Sequence, residues 1–267
     1  MIDTIPARAA GFKSISMLHI RLLLGLISHI IRAMLTRVRS IFFLIYAFAG
    51  FVCAVIIAAV MMVFFRDKQA FLQAYGRFCL NYIFIPASGV KVVTHGLADL
   101  PRHKALIFVC NHQSNADAPI LIANLPVRVV FMAKRELFSI PLLGWYMRAA
   151  GHIQIERSKI RSALTAIEQM ADVLRNGESV FVFPEGTRSH DGSLGIFKRG
   201  GMIAAQMTGA AIVPVALSGS YKIMRRGSLL IRPATVKLSV GEPIYIKDEK
   251  EIDEKLKQTR DAIARML

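Results

Sequence analysis

The chain has 267 residues, of which 54% are hydrophobic; its mean hydropathy is +0.46 and its formal net charge is +16, from 34 Lys and Arg against 18 Asp and Glu. That length allows one large domain or one domain with an attachment. High charge combined with high hydrophobicity excludes a disordered chain, and the apolar excess excludes an ordinary soluble enzyme.

So basic a surface is drawn to phosphate-bearing partners. Anionic lipid ranks above nucleic acid, because no nucleic-acid motif accompanies the apolar sequence.

In chain order, the first apolar segment is Leu18 to Leu35, interrupted by His19, Arg21, His29 and Arg32. Those interruptions suit a helix lying in a membrane interface better than one crossing it. Ile41 to Phe65 follows, 25 residues without a charge. As a helix it would extend about 37 Å, more than the roughly 30 Å hydrocarbon core. It starts too deep in the chain, and is too long, for a cleaved signal peptide. Arg37 and Arg39 precede it and Arg66 and Lys68 follow, so charge does not orient it. A monotopic arrangement therefore stays open beside a spanning one. Phe71, Leu72, Tyr75, Phe78, Cys79 and Tyr82 recur at helical spacing, and Pro86-Ala87-Ser88-Gly89 reads as a hinge. The expected division is a membrane attachment over residues 1–85 and a compact domain over 86–267.

Beyond the hinge, apolar runs of strand length recur: Val90–Thr94, Ala105–Cys110, Arg128–Ala133, His152–Glu156, Ser179–Phe183, Ile212–Leu217 and Thr235–Val240. Helical patterns lie between several of them, at Ile160 to Arg175 with Asn176-Gly177 as its stop, and at Gly201 to Thr208; Ile252 to Leu267 forms a last one. Continuous apolar strands alternating with helices predict an α/β fold with a largely parallel sheet covered on both faces. Cys53, Cys79 and Cys110 show neither CxxC nor metal spacing, so buried thiols in a reducing compartment are expected.

Two polar clusters close apolar runs. Asn111-His112-Gln113-Ser114-Asn115-Ala116-Asp117 follows the second strand. A carboxylate holding one imidazole nitrogen fixes the tautomer and leaves the other to take a proton. Positions five apart lie about 140° apart on a helix, so His112 and Asp117 meet only across an irregular turn. The simpler alternative is a packed histidine, with Asp117 as a helix N-cap.

Phe183-Pro184-Glu185-Gly186-Thr187-Arg188 closes the fifth run and groups a carboxylate, a small residue and a guanidinium suited to phosphate. An ion pair at a surface turn is its plainer alternative. Lys198, Arg199 and Gly200-Gly201 add charge at a helix start. Lys134 follows one strand and Arg157 another, the latter as a phosphate ligand or half of a surface pair with Glu156. Ile140 to Trp145 is apolar, with core packing preferred over a membrane or acyl contact. His152 has no evident partner and reads as structural, and Pro214 as a strand edge, start or bulge. GxSxG, P-loop, HExxH and Rossmann fingerprints are missing, which removes support for a serine acyl-enzyme and for metal or nucleotide-hydrolysis chemistry.

Taken in order, these motifs resemble the membrane-bound glycerolipid acyltransferases. The NHxxxxD block matches Asn111 to Asp117, and a strand ending in arginine matches Gly151 to Arg157. FPEGTRS matches Phe183 to Ser189 in full, and an apolar proline block matches Ile212 to Val215. The resemblance covers about residues 80 to 245 and departs mildly at Glu156, where members often carry aspartate. It implies direct acyl transfer from acyl-CoA or acyl carrier protein to the sn-2 hydroxyl of a 1-acylglycerol-3-phosphate. His112 would be the base and Asp117 its orienting partner. Arg157, Glu185, Gly186, Thr187 and Arg188 would hold the glycerol phosphate, with Lys134 nearby.

No metal or cofactor is expected beyond the thioester co-substrate. The partners are a phospholipid membrane, the lysophospholipid acceptor and the acyl donor. The expected location is the inner, cytoplasmic membrane with the site facing the cytoplasm. Backbone N–H groups near Ser114 or Gly186 are candidates for the oxyanion. Two alternatives stay open: another acceptor, such as a lyso-ornithine lipid or glycerol 3-phosphate, and a non-catalytic protein that binds anionic lipid.

Overall fold

A computed structural model describes residues 8–101, 104–156 and 160–267. Helix α1 (Arg8–Met61) runs without interruption through the first apolar segment and most of the second, which ends in a 3-10 turn at Met62–Phe64, and α2 (Lys68–Cys79) turns back after it. Two expected segments are thus one helix of 54 residues. Arginine is a good helix former, so Arg37 and Arg39 mark no boundary, and no proline breaks the run. Asp67 caps α2, its side chain accepting the Ala70 N–H at 2.9 Å.

A π-helical stretch, Leu80–Phe84, leads into α3 (Ile85–Ser88). Gly89 ends that helix at φ 74°, where a side chain would be strained, and so delivers the chain to the sheet.

The remaining elements are β1 (Lys91–His95), β2 (Leu106–Cys110), α4 (Asp117–Asn124), β3 (Val129–Lys134), α5 (Arg135–Phe138), α6 (Leu143–Ala149), β4 (Ile153–Ile155), α7 (Ile160–Arg175), β5 (Ser179–Val182), α8 (Gly200–Thr208), β6 (Ala211–Ser218), β7 (Thr235–Val240) and α9 (Ile252–Met266). The seven strands form one sheet in the order β1-β7-β6-β2-β5-β3-β4. Every neighbouring pair is parallel except β6 and β7. The β6–β7 connection carries only a 3-10 turn, Ser220–Lys222, and no crossover helix, so the chain reverses direction.

Strand β2 is central, between β5 and β6, and buried at all five positions. Leu106, Phe108 and Cys110 enter the core beneath α4, whereas Ile107 and Val109 enter the core shared with α7, α8 and α9. Emptying the Phe108 site with Phe108→Ala would cost about 3–5 kcal/mol. The carboxyl ends of β2, β5 and β3 come side by side; polar residues follow β2 and β3 directly, and Phe183-Pro184 and then Glu185 follow β5.

Helix α1 docks on this domain through one stripe, Ser40, Phe43, Leu44, Ala47, Phe51, Val55 and Ala58, at three- and four-residue spacing. Arg39 Nη2 donates to the Ile231 carbonyl at 2.7 Å, and Ser40 Oγ accepts the Ile231 N–H at 2.9 Å. The opposite face leaves Ile41, Phe42, Ile45, Phe48, Ile56 and Val60 exposed.

Candidate active site

The backbone between β2 and α4 is irregular, as the five-residue spacing requires. Asn111, 1% exposed, pins the end of β2 to β6. Its Nδ2 donates to the Leu217 carbonyl at 3.0 Å, and its Oδ1 accepts the Leu217 N–H at 2.8 Å. The chain then turns and opens α4 at Asp117, with Pro119 in its first turn, where a missing N–H is harmless.

Asp117 is fully buried, and its Oδ2 lies 2.8 Å from Nδ1 of His112. That same oxygen accepts the N–H groups of Gln113 and Ser114, each at 2.7 Å. Asp117 therefore folds backwards onto the preceding loop, and Ala116 occupies the N-cap position. The carboxylate makes Nδ1 the donor, so Nε2 is the free base nitrogen.

The imidazole lies flat on Phe183, with ring centroids 3.8 Å apart and planes 14° from parallel. The sequence carries no sign of this contact, because stacking joins residues 71 positions apart.

Glu185, which the resemblance assigns to the glycerol phosphate, accepts two backbone amides in this structure. Its Oε1 accepts the His112 N–H at 2.9 Å and its Oε2 the Gly195 N–H at 3.0 Å. It braces two loops from behind. Burial pushes its carboxyl above the usual range, against the two backbone bonds that pull it down.

Arg188 is half-buried and donates to Asn115 Oδ1 at 2.5 Å. Its loop is tied to the base by the Ser189 N–H, which donates to the His112 carbonyl at 2.8 Å. Gly186 stands at φ 69°, and a Cβ there would come within 2.9 Å of Lys198 Nζ. Thr187 is exposed on the same turn.

Lys134 ends β3 with its ammonium exposed, 3.9 Å from Glu136. Arg157 lies outside the described residues. Glu156 lies 3.7 Å from Arg135. Arg199 faces away from this site, paired with Asp253 at 3.0 Å.

Of the backbone N–H groups in the two candidate oxyanion regions, those of Ser114 and Gly186 themselves have partners within the protein. The Ser114 N–H bonds Asp117, and the Gly186 N–H donates to the Phe183 carbonyl at 3.1 Å. Cys110, beside the base in sequence, is fully buried, and burial raises its thiol well above the ordinary range. It is a poor nucleophile. His152 is neutral: burial lowers it to about 4, and its Nδ1 accepts the Phe131 N–H at 3.3 Å.

Two apolar cavities flank the His112 loop. One, of about 300 Å³, lies between α1 and the domain and reaches Asn115 and Ala116, with Phe43, Phe84, Ile120 and Met224 in its wall. The other, of about 230 Å³, runs under Phe183, Pro184 and Gly186 against α7 and α8, with Lys198 and Glu156 in its wall.

Comparison with known proteins places this geometry among relatives. The family described as "Acyltransferase" matches residues 91–218. A 1-acyl-sn-glycerol-3-phosphate acyltransferase of Chlamydomonas reinhardtii is 32% identical over 243 residues, 88% of this chain and 71% of that protein. A chloroplastic 1-acyl-sn-glycerol-3-phosphate acyltransferase of Arabidopsis thaliana is 38% identical over 157 residues, 58% of this chain. The matched region spans 44% of the Arabidopsis protein's length, and 45% of a Brassica napus counterpart. The crystal structure of the 1-acyl-sn-glycerophosphate acyltransferase PlsC from Thermotoga maritima superposes with a TM-score of 0.76 at 26% identity, covering 88% of this chain and 97% of that one.

Proposed function

The chain belongs to the acyltransferase family, and from that premise we propose that it transfers a fatty acyl group from a thioester to the sn-2 hydroxyl of 1-acylglycerol-3-phosphate, giving phosphatidic acid. The observation that carries the reading is the His112–Asp117 contact of 2.8 Å, made by a fully buried carboxylate to a partly exposed imidazole. The Chlamydomonas and Thermotoga relatives support the acceptor class.

In this reading Nε2 of His112 removes the hydroxyl proton while Asp117 steadies the imidazolium that forms. The hydroxyl oxygen attacks the thioester carbonyl, and the tetrahedral oxyanion collapses with cleavage of the carbon–sulfur bond. The leaving thiolate recovers the proton from His112. A thioester is already activated, so no acyl-enzyme is needed. Arg188 leaves Asn115 to grip the acceptor phosphate, with Lys134 and Arg157 adding charge. The cavity along α1 receives the lysolipid chain, and the one beneath Phe183 the donor chain. The donor is acyl-CoA or acyl carrier protein.

Residues 1–85 serve as the membrane attachment and 86–267 as the transferase domain. Residues 4–66 carry no Asp or Glu, which suits an anionic membrane facing the cytoplasm. As a helix, α1 measures about 80 Å against a hydrocarbon core of roughly 30 Å. Its docked stripe holds the domain along its side, so it lies along one leaflet with the exposed face in lipid.

The test is acyl transfer by detergent-purified protein given lysophosphatidic acid with acyl-CoA and, separately, acyl carrier protein. Phosphatidic acid should form with the wild type and not with His112→Ala. Equal product from both proteins would remove the base assignment. No product with either donor from folded, lipid-binding protein would remove this acceptor.

A further inference from the structure

We propose that Lys134–Trp145, the turn of α5 and α6, is a second membrane contact, carried by the transferase domain itself, which seats Leu137, Ile140, Leu142 and Trp145 in the hydrocarbon just below the lipid phosphates. Core packing was the expectation for Ile140 to Trp145, and exposure overturns it. Leu137, Ile140, Leu142 and Trp145 are exposed by 39%, 46%, 39% and 36%.

The backbone is shaped to hold them outward. Leu142 stands at φ 62°, and it is the one non-glycine residue at positive φ among the described residues. A β-carbon at that angle is strained and persists only where the surroundings enforce it. Here they do. The Gly144 N–H donates to the Ile140 carbonyl at 2.8 Å, and the Tyr146 N–H to the Leu142 carbonyl at 2.9 Å. A Cβ on Gly144 would stand 2.0 Å from the Phe138 carbonyl oxygen, which also accepts from Arg148 Nη1 at 2.7 Å. Glycine would fit position 142 without strain, yet a leucine occupies it and points a large apolar group to the outside.

The occupant follows from continuity and charge. The inner side of α6 packs on the attachment helices: Ala150 clusters with Ala58 and Leu72, and Tyr146 Oη donates to the Leu72 carbonyl at 3.0 Å. The exposed side therefore continues the apolar surface around α2, where Phe78, with Phe64 before the helix and Tyr82 after it, is also exposed. Lys134, Arg135 and Arg148 flank the turn, with Glu136 and Glu156 as the nearby acids. Long cationic side chains beside an apolar tip, with a tryptophan among them, suit the depth of headgroups. That depth puts Lys134, and with it the carboxyl edge of the sheet, level with lipid phosphate.

Trp145 is the sole tryptophan, so the native protein reports on itself. The full chain is placed in nanodiscs of phosphatidylcholine and phosphatidylglycerol, with and without dibrominated acyl chains. Blue-shifted emission that brominated lipid quenches is the expected result. A Trp145→Phe, Phe48→Trp protein serves as the reference for α1. If Trp145 is unquenched while the reference is quenched, the proposal fails, whether water or a second copy covers the turn. A second arm rests on the acyl-transfer reading. Leu142→Gly relieves the strained angle and keeps the fold, so melting temperature should hold or rise. Its KM for lysolipid presented in the bilayer should rise by about tenfold, from the apolar surface lost, with activity in mixed micelles kept. Unchanged bilayer kinetics in a stable Leu142→Gly protein would also overturn the proposal.

Discussion

Glu185 and His112 meet through the backbone: the carboxylate accepts the amide N–H of His112 at 2.9 Å and, with its other oxygen, the amide of Gly195 at 3.0 Å. No hydrogen bond joins it to the imidazole; the two interact through charge alone. A carboxylate in that position steadies the loop carrying His112.

Glu185→Gln separates this brace from a direct phosphate role. The carboxamide offers one acceptor oxygen, so one of the two amides must face an NH2 group. Leaving one buried donor unpaired costs about 1–3 kcal/mol. We expect kcat to fall by roughly 5- to 150-fold with KM for lysolipid nearly unchanged. A rise in KM at constant kcat would return Glu185 to the phosphate site.

Asp117→Asn tests the pair itself. Three donors converge on one oxygen of Asp117: Nδ1 of His112 and the amides of Gln113 and Ser114. An asparagine can keep its oxygen on the two amides, but it then no longer draws the proton to Nδ1 as a carboxylate does. An unsupported imidazolium should lower kcat by about 10²- to 10⁴-fold, the scale of general acid–base catalysis. Steady-state kinetics with folded protein, verified by an unchanged circular dichroism spectrum, decides it. Near wild-type turnover would mean that His112 is not the base.

Arg188→Ala should act on the acceptor and spare the chemistry. Losing a charge-assisted contact to phosphate is worth about 1.5–3 kcal/mol, so KM for lysophosphatidic acid should rise by roughly 10- to 150-fold. Monoacylglycerol has the hydroxyl and no phosphate, and is the control. An equal loss with both acceptors would place Arg188 in positioning the loop through Asn115 and the Ser189–His112 contact, not in binding phosphate.

The seven strands were legible because a parallel sheet covered on both faces leaves runs such as Leu106–Cys110 wholly apolar. The reversal between β6 and β7 was not, since an apolar run states burial and carries no direction. His112 and Asp117 were legible as a pair only if the turn between them was irregular, and it is. Their surroundings were hidden: Asn111 on Leu217, His112 on Phe183 and Glu185 on Gly195 are contacts whose partners the sheet order brings together. The same holds for Ile140 to Trp145. Hydrophobicity alone reads as core, whereas the folded turn, with Leu142 at φ 62°, leaves Ile140, Leu142 and Trp145 exposed.

His152 yields a prediction about stability, not turnover. Burial lowers the ring from 6.5 to about 4, because the charged form would lose its hydration. The unfolded chain binds a proton below about pH 6.5 and the folded one only near pH 4. This contribution is therefore whole above pH 6.5 and declines as pH falls towards 4. The decline is about 1.4 kcal/mol per pH unit, roughly 3 kcal/mol in all. His152→Gln keeps an acceptor for the Phe131 N–H and removes the titration. Urea melts of both proteins in the same detergent, from pH 7 to pH 4, should give a steeper decline for the wild type. Parallel curves would mean that the imidazole is already charged, or solvated, in the folded state.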